Sequence, residues 1–276
     1  MTDTCLVCDT VMEKPEPWLR ACPDCGFLHS TLPAGAGTGV DGLETLRRKN
    51  FKTLLDKLSQ IGPLSGKTLL EVGCSTGLFL EEAQRSGINV MGLEPEKAKA
   101  DIARTKNFTV IDGFFPDAVP AGKQYDMIIF NDVFEHLPDP VSALNACCEH
   151  LAPQGLLIIN LPDSSGIIYR IARAFNNFGM SGPFERMWQK QFASPHITYF
   201  RANNLQKLVE SKTPLKLVSS GKLDSMTAQG LKSRISSSVS EPWATLMFLP
   251  LLAITYLQKI LPSDILLQVY KKPAGH

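Results

Sequence analysis

Residues 69–80 read Leu-Leu-Glu-Val-Gly-Cys-Ser-Thr-Gly-Leu-Phe-Leu, and the reading of this stretch decides the fold. Thr68–Val72 is an apolar run of strand length that ends in Gly73. Three residues separate Gly73 from Gly77, and an amphipathic helix begins at Leu78. Glycine lets the chain bend sharply at the carboxyl end of a strand, and the start of a helix offers unpaired N–H groups. In open α/β sheets, ligands bind at that edge. Gly73 is expected to supply the bend, and Gly77 to remove a side chain where a ligand nears the backbone. A pyrophosphate fingerprint would need a second glycine where Ser75 stands, and no Gly-Lys-Ser/Thr follows to make a phosphate loop. Glu71, just before the bend, would repel phosphate and attract a cation such as an α-ammonium or a sulfonium.

The same alternation extends outward in both directions. Leu43, Leu46, Phe51, Leu54, Leu55, Leu58 and Ile61 recur at helical spacing until Gly62-Pro63 stops them. Downstream, Asn89–Leu93, Phe108–Asp112, Asp126–Asn131 and Gly155–Leu161 read as further strands, with helices from Pro95 and over Pro140–Leu151. Pro95 is expected at the first helical position. Strands without polar alternation are covered on both faces, which predicts a doubly wound, Rossmann-like α/β sheet. Their carboxyl ends carry Glu94, suited to ribose hydroxyls, Asp112, suited to an adenine amino group, and Asn131. A nucleoside bearing a cationic amino acid satisfies this set.

In this order LLEVGCSTGLFL, VMGLEPE (Val90–Glu96), VIDG (Val110–Gly113), YDMIIFNDVFEHLPDP (Tyr125–Pro140) and LAPQGLLIINLP (Leu151–Pro162) resemble class I S-adenosylmethionine-dependent methyltransferases, in the branch with Glu-His-x-x-Asp-Pro after the fourth strand. The resemblance covers about residues 43–221. It implies that Glu71, Gly73, Cys74 and Gly77 hold the methionine part of the cofactor, with Glu94 on the ribose. It further implies Asp112 and Gly113 near adenine, and Asn131 and Asp132 on the crevice floor. Cys74 replaces the family's usual small residue. Ile265–Lys272 resembles the final strand, which in this fold is inserted antiparallel.

Asp132, Glu135 and His136 fall at i, i+3 and i+4, so a helical turn would put them on one face. Three roles stay open: architecture of the loop, proton removal from an acceptor by His136 with Glu135 beside it, or a divalent ion held by Asp132, Glu135 and His136. The ubiquinone methyltransferases show a similar acid-x-x-Glu-His arrangement, which implies the metal role. Methyl transfer from a sulfonium is downhill, so alignment supplies much of the rate and a strong base is optional.

Four of the seven cysteines form two Cys-x-x-Cys pairs, Cys5 with Cys8 and Cys22 with Cys25. Two such knuckles offer the four-sulfur set that structural zinc takes, a closed sphere that holds a fold and does no chemistry. His29 is then read as an exposed surface residue. The Gly- and Pro-rich Thr31–Gly39 predicts a boundary. The expected organisation is a zinc-ribbon-like module over 1–32, a linker and helix over 33–62, and the methyltransferase domain over 63–276, with insertions at about 162–194 and 222–262.

The acceptor side falls in those insertions. Tyr169, Phe175, Phe178, Phe184, Trp188 and Phe192 crowd the first, and Ile167–Phe178 forms an amphipathic basic helix with Arg170 and Arg173 on its polar side. SPHITYF (Ser194–Phe200) resembles the His-x-x-Tyr-Phe element before the next helix in this branch, which implies His196 and Tyr199 as candidates to line the acceptor pocket, with packing favoured for Tyr199 and Phe200. Trp243–Gln258 carries no charge. It reads as a buried helix beside the pocket, as an interfacial helix on a membrane with contact over 243–261, or as a span, for which Pro250 and its length argue poorly. Lys232, Arg234, Lys259, Lys271 and Lys272 would suit anionic headgroups.

The 276 residues are 44% hydrophobic and 20% charged, which excludes a disordered or fibrous chain. Lys plus Arg is 28 against 27 Asp plus Glu, so no overall field gathers nucleic acid, and none is expected as a partner. The opening MTDTCLVCDT shows no secretory pattern, which predicts a reducing, cytoplasmic compartment with membrane association left open. The reading is S-adenosylmethionine-dependent methyl transfer to a small-molecule, sugar-precursor or lipid-linked acceptor, with O-methylation favoured. The alternative is a zinc-ribbon nucleic-acid-binding or regulatory protein whose Rossmann-like domain is not catalytic. An RNA methyltransferase lacks its Asn-Pro-Pro-Tyr-type motif, since Asn131-Asp132-Val133-Phe134 stands there.

Overall fold

Side chains alternate across each central strand, and both sets are apolar. In the computed structural model, which describes residues 3–35, 44–228, 231, 243–257 and 260–275, these strands form a sheet covered on both faces. Its strands are β4 (Thr68–Val72), β5 (Asn89–Glu94), β6 (Val110–Asp112), β7 (Tyr125–Asn131), β8 (Leu151–Pro162), β10 (Lys216–Lys222) and β11 (Ile265–Lys271). The seven-stranded order is β10-β11-β8-β7-β4-β5-β6, with β11 antiparallel to both neighbours and the other pairs parallel. The last strand is thus inserted antiparallel, as the resemblance implies.

Leu69, Met127, Ile129, Ile158, Leu267 and Val269 face α1 (Glu44–Ile61) and α2 (Leu78–Arg85), where Phe51, Leu54, Leu58, Phe79 and Ala83 meet them. The alternate residues, Leu70, Val72, Ile128, Phe130, Leu157, Ile159 and Leu161, face α4 (Pro140–His150) and α7 (Ala202–Lys212). Asp139 caps α4 by accepting from the amides of Val141 and Ser142. Pro95 does not open a helix: α3 spans Lys97–Thr105, with Glu96 at its amino-terminal boundary. The Glu94 carboxylate accepts the Glu96 amide at 2.9 Å and holds that segment extended.

β1 (Glu13–Glu16), β2 (Leu19–Ala21) and β3 (Leu28–Ser30) form a second, antiparallel sheet, to which β9 (Thr198–Tyr199) adds as fourth strand. Cys5, Val7, Met12, Cys22 and Phe27 share a core with Phe130, Phe134 and Phe200 of the larger sheet's layer. His29 is not an exposed surface residue. It is half-buried in β3 opposite Thr198, stacks on Phe27, and burial lowers its pKa. Part of the expected linker, residues 36–43, lies outside the described residues.

The aromatic insertion folds as α5 (Ile167–Asn177) and α6 (Gly182–Met187). Tyr169, Phe184 and Trp188 are buried with Leu19, Leu28 and Tyr199, and so form a core beneath the small sheet. α8 (Trp243–Leu257) is not a buried helix: Leu249 and Tyr256 are 70% and 72% exposed. Among the described residues no helix is long and apolar enough to cross a membrane. Lys232, Arg234 and Lys259 lie outside the described residues. Lys272 is not a surface flank, because it is buried with its Nζ donating to the carbonyls of Cys148 and Leu151.

Candidate active site

The bend after β4 is built on left-handed backbone. Gly73 has φ +71°, and a Cβ there would lie 2.6 Å from Val133 Cγ2, so glycine is needed for both conformation and space. Gly77, at φ +79°, has a different constraint: a Cβ would meet Phe108 at 3.0 Å and Ala103 at 3.3 Å. Its missing side chain lets the turn close on the packing behind it. Cys74 likewise points its buried sulfur into that packing, with Leu80, Ala100, Ala103 and Phe108. Only its backbone is left to face a ligand.

Glu94, at the end of β5, accepts the Ser75 amide at 2.8 Å on one oxygen and the Glu96 amide on the other. Its carboxylate therefore ties the glycine bend to the second strand. Asp112 lies opposite Glu94 in the β5–β6 register, but it is exposed and paired with Arg104 at 2.8 Å. Gly113 follows with φ +131°, where a Cβ would stand 2.7 Å from Ala118 Cβ.

The floor is lined with acceptor oxygens in want of donors. Asn131 donates to Glu71 Oε1 at 2.9 Å, which leaves Glu71 Oε2, Asn131 Oδ1 and the Oδ1 of Asn160 buried without partners. Asn160 sits beside Asn131 in the β7–β8 register. Such orphaned oxygens are costly unless a donor arrives. Burial pushes the Glu71 carboxyl up to about 8, with Glu94 adding repulsion and Arg47 of α1 opposing it. Asp132 stands at φ +53° with its amide donating to the Asn160 carbonyl, and burial raises its pKa also. Asn160 and Arg47 were not singled out from sequence. Asn160 sits in an apolar run, at the strand end where Asn131 also falls, which is the one signal that could have found it.

On the far side of Asp132 the chain makes a 3-10 turn over Phe134–His136. The expected face of Asp132, Glu135 and His136 is not what forms. Ligand atoms within 4.8 Å of one another come from Glu135, His136 and His196, with Asp132 outside the set, because a 3-10 turn replaces the α-helical spacing. Glu135 is 1% exposed, neither of its oxygens has a hydrogen-bond partner, and burial next to Asp132 drives its pKa well up. Its Oε1 lies 3.9 Å from His136 Nε2 and 4.0 Å from His196 Nε2. An ion with bonds of about 2.1 Å in tetrahedral geometry needs ligand atoms about 3.4 Å apart, so this set is more open than such an ion requires. Both imidazoles are held neutral by burial. His136 Nδ1 lies 2.9 Å from the Pro195 carbonyl, which fixes that nitrogen as the donor and leaves Nε2 with a free lone pair. His196 Nδ1 is 3.2 Å from the Tyr199 hydroxyl, and Tyr199 and Phe200 are fully packed.

The four amino-terminal cysteines converge. Cys5 and Cys25 sulfurs lie 3.6 Å apart, Cys8 and Cys22 sulfurs 3.4 Å, and all four fall within 4.8 Å. These distances are far beyond a disulfide and close to the ~3.8 Å edge of a tetrahedron with zinc–sulfur bonds of about 2.3 Å.

The family described as "Methyltransferase domain" matches residues 44–218. The ubiquinone biosynthesis O-methyltransferase of Dinoroseobacter shibae is 33% identical over 107 residues, covering 37% of this chain and 43% of that protein. The same-named protein of Psychrobacter cryohalolentis is 28% identical over 126 residues, covering 42% and 49%. This chain thus spans less than half the length of these curated relatives. Among solved structures, the magnesium protoporphyrin IX methyltransferase from Synechocystis with bound S-adenosylhomocysteine superposes with a TM-score of 0.54 at 12% identity, over 86% of this chain and 90% of that one. An S-adenosylmethionine-dependent methyltransferase from Mesorhizobium loti gives 0.54 at 13%, over 85% and 100%. At such identities the likeness is one of fold.

Proposed function

The chain belongs to the methyltransferase-domain family, and from that premise we propose that it transfers the methyl group of S-adenosylmethionine to a hydroxyl of a small-molecule, sugar-precursor or lipid-linked acceptor. The observation that carries this reading is the row of unpartnered oxygens from Glu71, Asn131 and Asn160 beside the Gly73 bend. An α-ammonium group with three donors, next to a sulfonium, meets what those oxygens lack. Glu94 would exchange backbone amides for ribose hydroxyls, the Asp112–Gly113 end of β6 would border the adenine, and Asp132 would close the floor.

Bound S-adenosylmethionine supplies a methyl group already activated toward a nucleophile. The chain's own part is to orient the acceptor and to take its proton. His136 fits the second task, because its Nε2 is unprotonated and its ring is fixed by Pro195. Glu135, kept protonated by burial, leaves no fixed negative charge beside that nitrogen. The O-methyltransferase names of the relatives support oxygen as the attacking atom. The Cys5, Cys8, Cys22 and Cys25 cluster is read as a structural zinc site, since four thiolates leave no open position.

Titration calorimetry with S-adenosylhomocysteine, followed by a screen of hydroxylated metabolites for methyl uptake, tests the reading. Binding at one site per chain, lost on substitution of Glu94, is the expected result. Retention on heparin without nucleoside binding would overturn it in favour of a nucleic-acid-binding protein.

A further inference from the structure

Two helices carry apolar side chains where a water-facing helix is polar. α8 has no charged residue, and its inner side packs Phe248, Leu251, Leu252 and Ile254 against Met226, Leu231 and Ile168 of α5. Its other side presents Leu246, Leu249, Pro250, Ala253, Tyr256 and Leu257 at the three- and four-residue spacing of one stripe, all exposed. α5 repeats the pattern. Tyr169 and Ala172 turn inward, whereas Ile171, Ala174, Phe175 and Phe178 form an exposed stripe, with Phe178 82% exposed. A helix apolar on every side belongs in a core or against lipid.

The two helices are tied together at the start of α5. Besides the Ile168 contact, the Ile167 amide donates to the Pro262 carbonyl, and Asp264 accepts from the amides of Ile168 and Tyr169. Charge selects the occupant: from Ser164 to Phe184 the only charged side chains are Arg170 and Arg173, both exposed beside the stripe. Two exposed cations along one side of an apolar stripe complement an anionic lipid surface. The Glu16 carboxylate accepts from Asn176 of α5 at 2.7 Å, and Asn176 stands at helical spacing from the inward Tyr169 and Ala172. α8, about 22 Å long and interrupted by Pro250, fits an interfacial position and falls short of the ~30 Å hydrocarbon core.

We propose that α5 and α8 form one docking face for an anionic membrane surface, and that this face delivers a lipid-linked acceptor to the crevice. The second part rests on the methyl-transfer reading above; the first does not. The route is short. α5 begins just after β8 ends, Tyr169 packs on Tyr199 with ring centroids 4.8 Å apart, and the Tyr199 hydroxyl reaches His196.

Flotation of the full chain with vesicles of phosphatidylcholine alone, and of phosphatidylcholine with a minority of phosphatidylglycerol, tests this, with S-adenosylhomocysteine calorimetry run on every sample. The wild type should float with the anionic vesicles at low salt. Phe175→Ser with Phe178→Ser should lower partitioning by about tenfold or more. Arg170→Glu with Arg173→Glu, which leaves the apolar stripe intact, should remove the preference for phosphatidylglycerol. Calorimetry should be unchanged in both. Protein that stays at the bottom while still binding S-adenosylhomocysteine overturns the docking face and spares the methyl-transfer reading. Flotation without nucleoside binding does the reverse. Equal flotation by all variants also overturns it, as does a wild-type dimer that the Phe175/Phe178 pair dissociates without any flotation, since the face would then bind a second copy.

Discussion

Glu71→Gln is the perturbation that separates a cation site from a merely buried acid. Burial places the Glu71 carboxyl at about 8, against an ordinary value of 4.5. At pH 7 about ten chains therefore carry its proton for each one that does not. If the ionised form meets the α-ammonium of the nucleoside, binding at pH 7 expels about 0.9 proton per site. Calorimetry of S-adenosylhomocysteine in buffers of different ionisation enthalpy measures that number directly. Glu71→Gln keeps an oxygen for Asn131 but has no proton to release, so its apparent enthalpy should not depend on the buffer through this group. The sign for folding is opposite to that of a salt-bridged acid. The unfolded chain ionises first, so Glu71 removes stability as pH climbs from 4.5 towards about 8, and the penalty is constant above that. At pH 7 it amounts to at most about 3 kcal/mol, so Glu71→Gln should raise the ligand-free melting midpoint near neutrality and change it little near pH 4.5. A wild type that releases no proton on binding, or a glutamine variant that releases as many, would refute the assignment of Glu71 to a cation.

Three further outcomes are expected. Gly73→Ala carries a left-handed backbone cost of about 1–2 kcal/mol and drives Val133 off the crevice; it and Glu94→Ala, which frees the Ser75 and Glu96 amides, should abolish nucleoside affinity while metal content by atomic absorption stays at the wild-type level. His136→Ala should lower kcat about a hundredfold with nucleoside affinity intact, and should erase the acidic limb of the kcat–pH profile, where the wild-type imidazole becomes protonated at a pH below the usual histidine range. Cys22→Ser should lower the zinc content per chain and the thermal midpoint, while calorimetric affinity for S-adenosylhomocysteine changes less than the acceptor KM, because the sulfurs share a core with Phe200 beside His196 and Tyr199.

Local signals carried most of the larger sheet. Runs such as Met127–Phe130 and Leu157–Leu161 have one sensible fate, since both of their faces are apolar, and Gly73 has one sensible role. Some misreadings fall where the partner is distant in sequence, and others where a local turn departs from the expected spacing. Leu28 pairs with Tyr199 across most of the larger sheet's sequence, and no periodicity announces it, so His29 reads as surface and His196 is not grouped with Glu135. Asp132 was grouped with Glu135 and His136 by α-helical spacing, which the 3-10 turn does not keep. Lys272 read as a surface cation, although a buried lysine is satisfied when carbonyls at the end of α4 and the start of β8 surround it.

The β3–β9 ladder has a consequence for how the chain can be shortened. A polypeptide begun at α1 would still contain every residue of the matched family region. It would also leave Thr198 and Tyr199 without their strand partners and uncover Phe200, whose ring rests 5.0 Å from that of Phe27. An open edge beside a bare aromatic recruits other chains, so such a trimmed protein should precipitate. The first thirty residues behave as a keystone set into the larger structure.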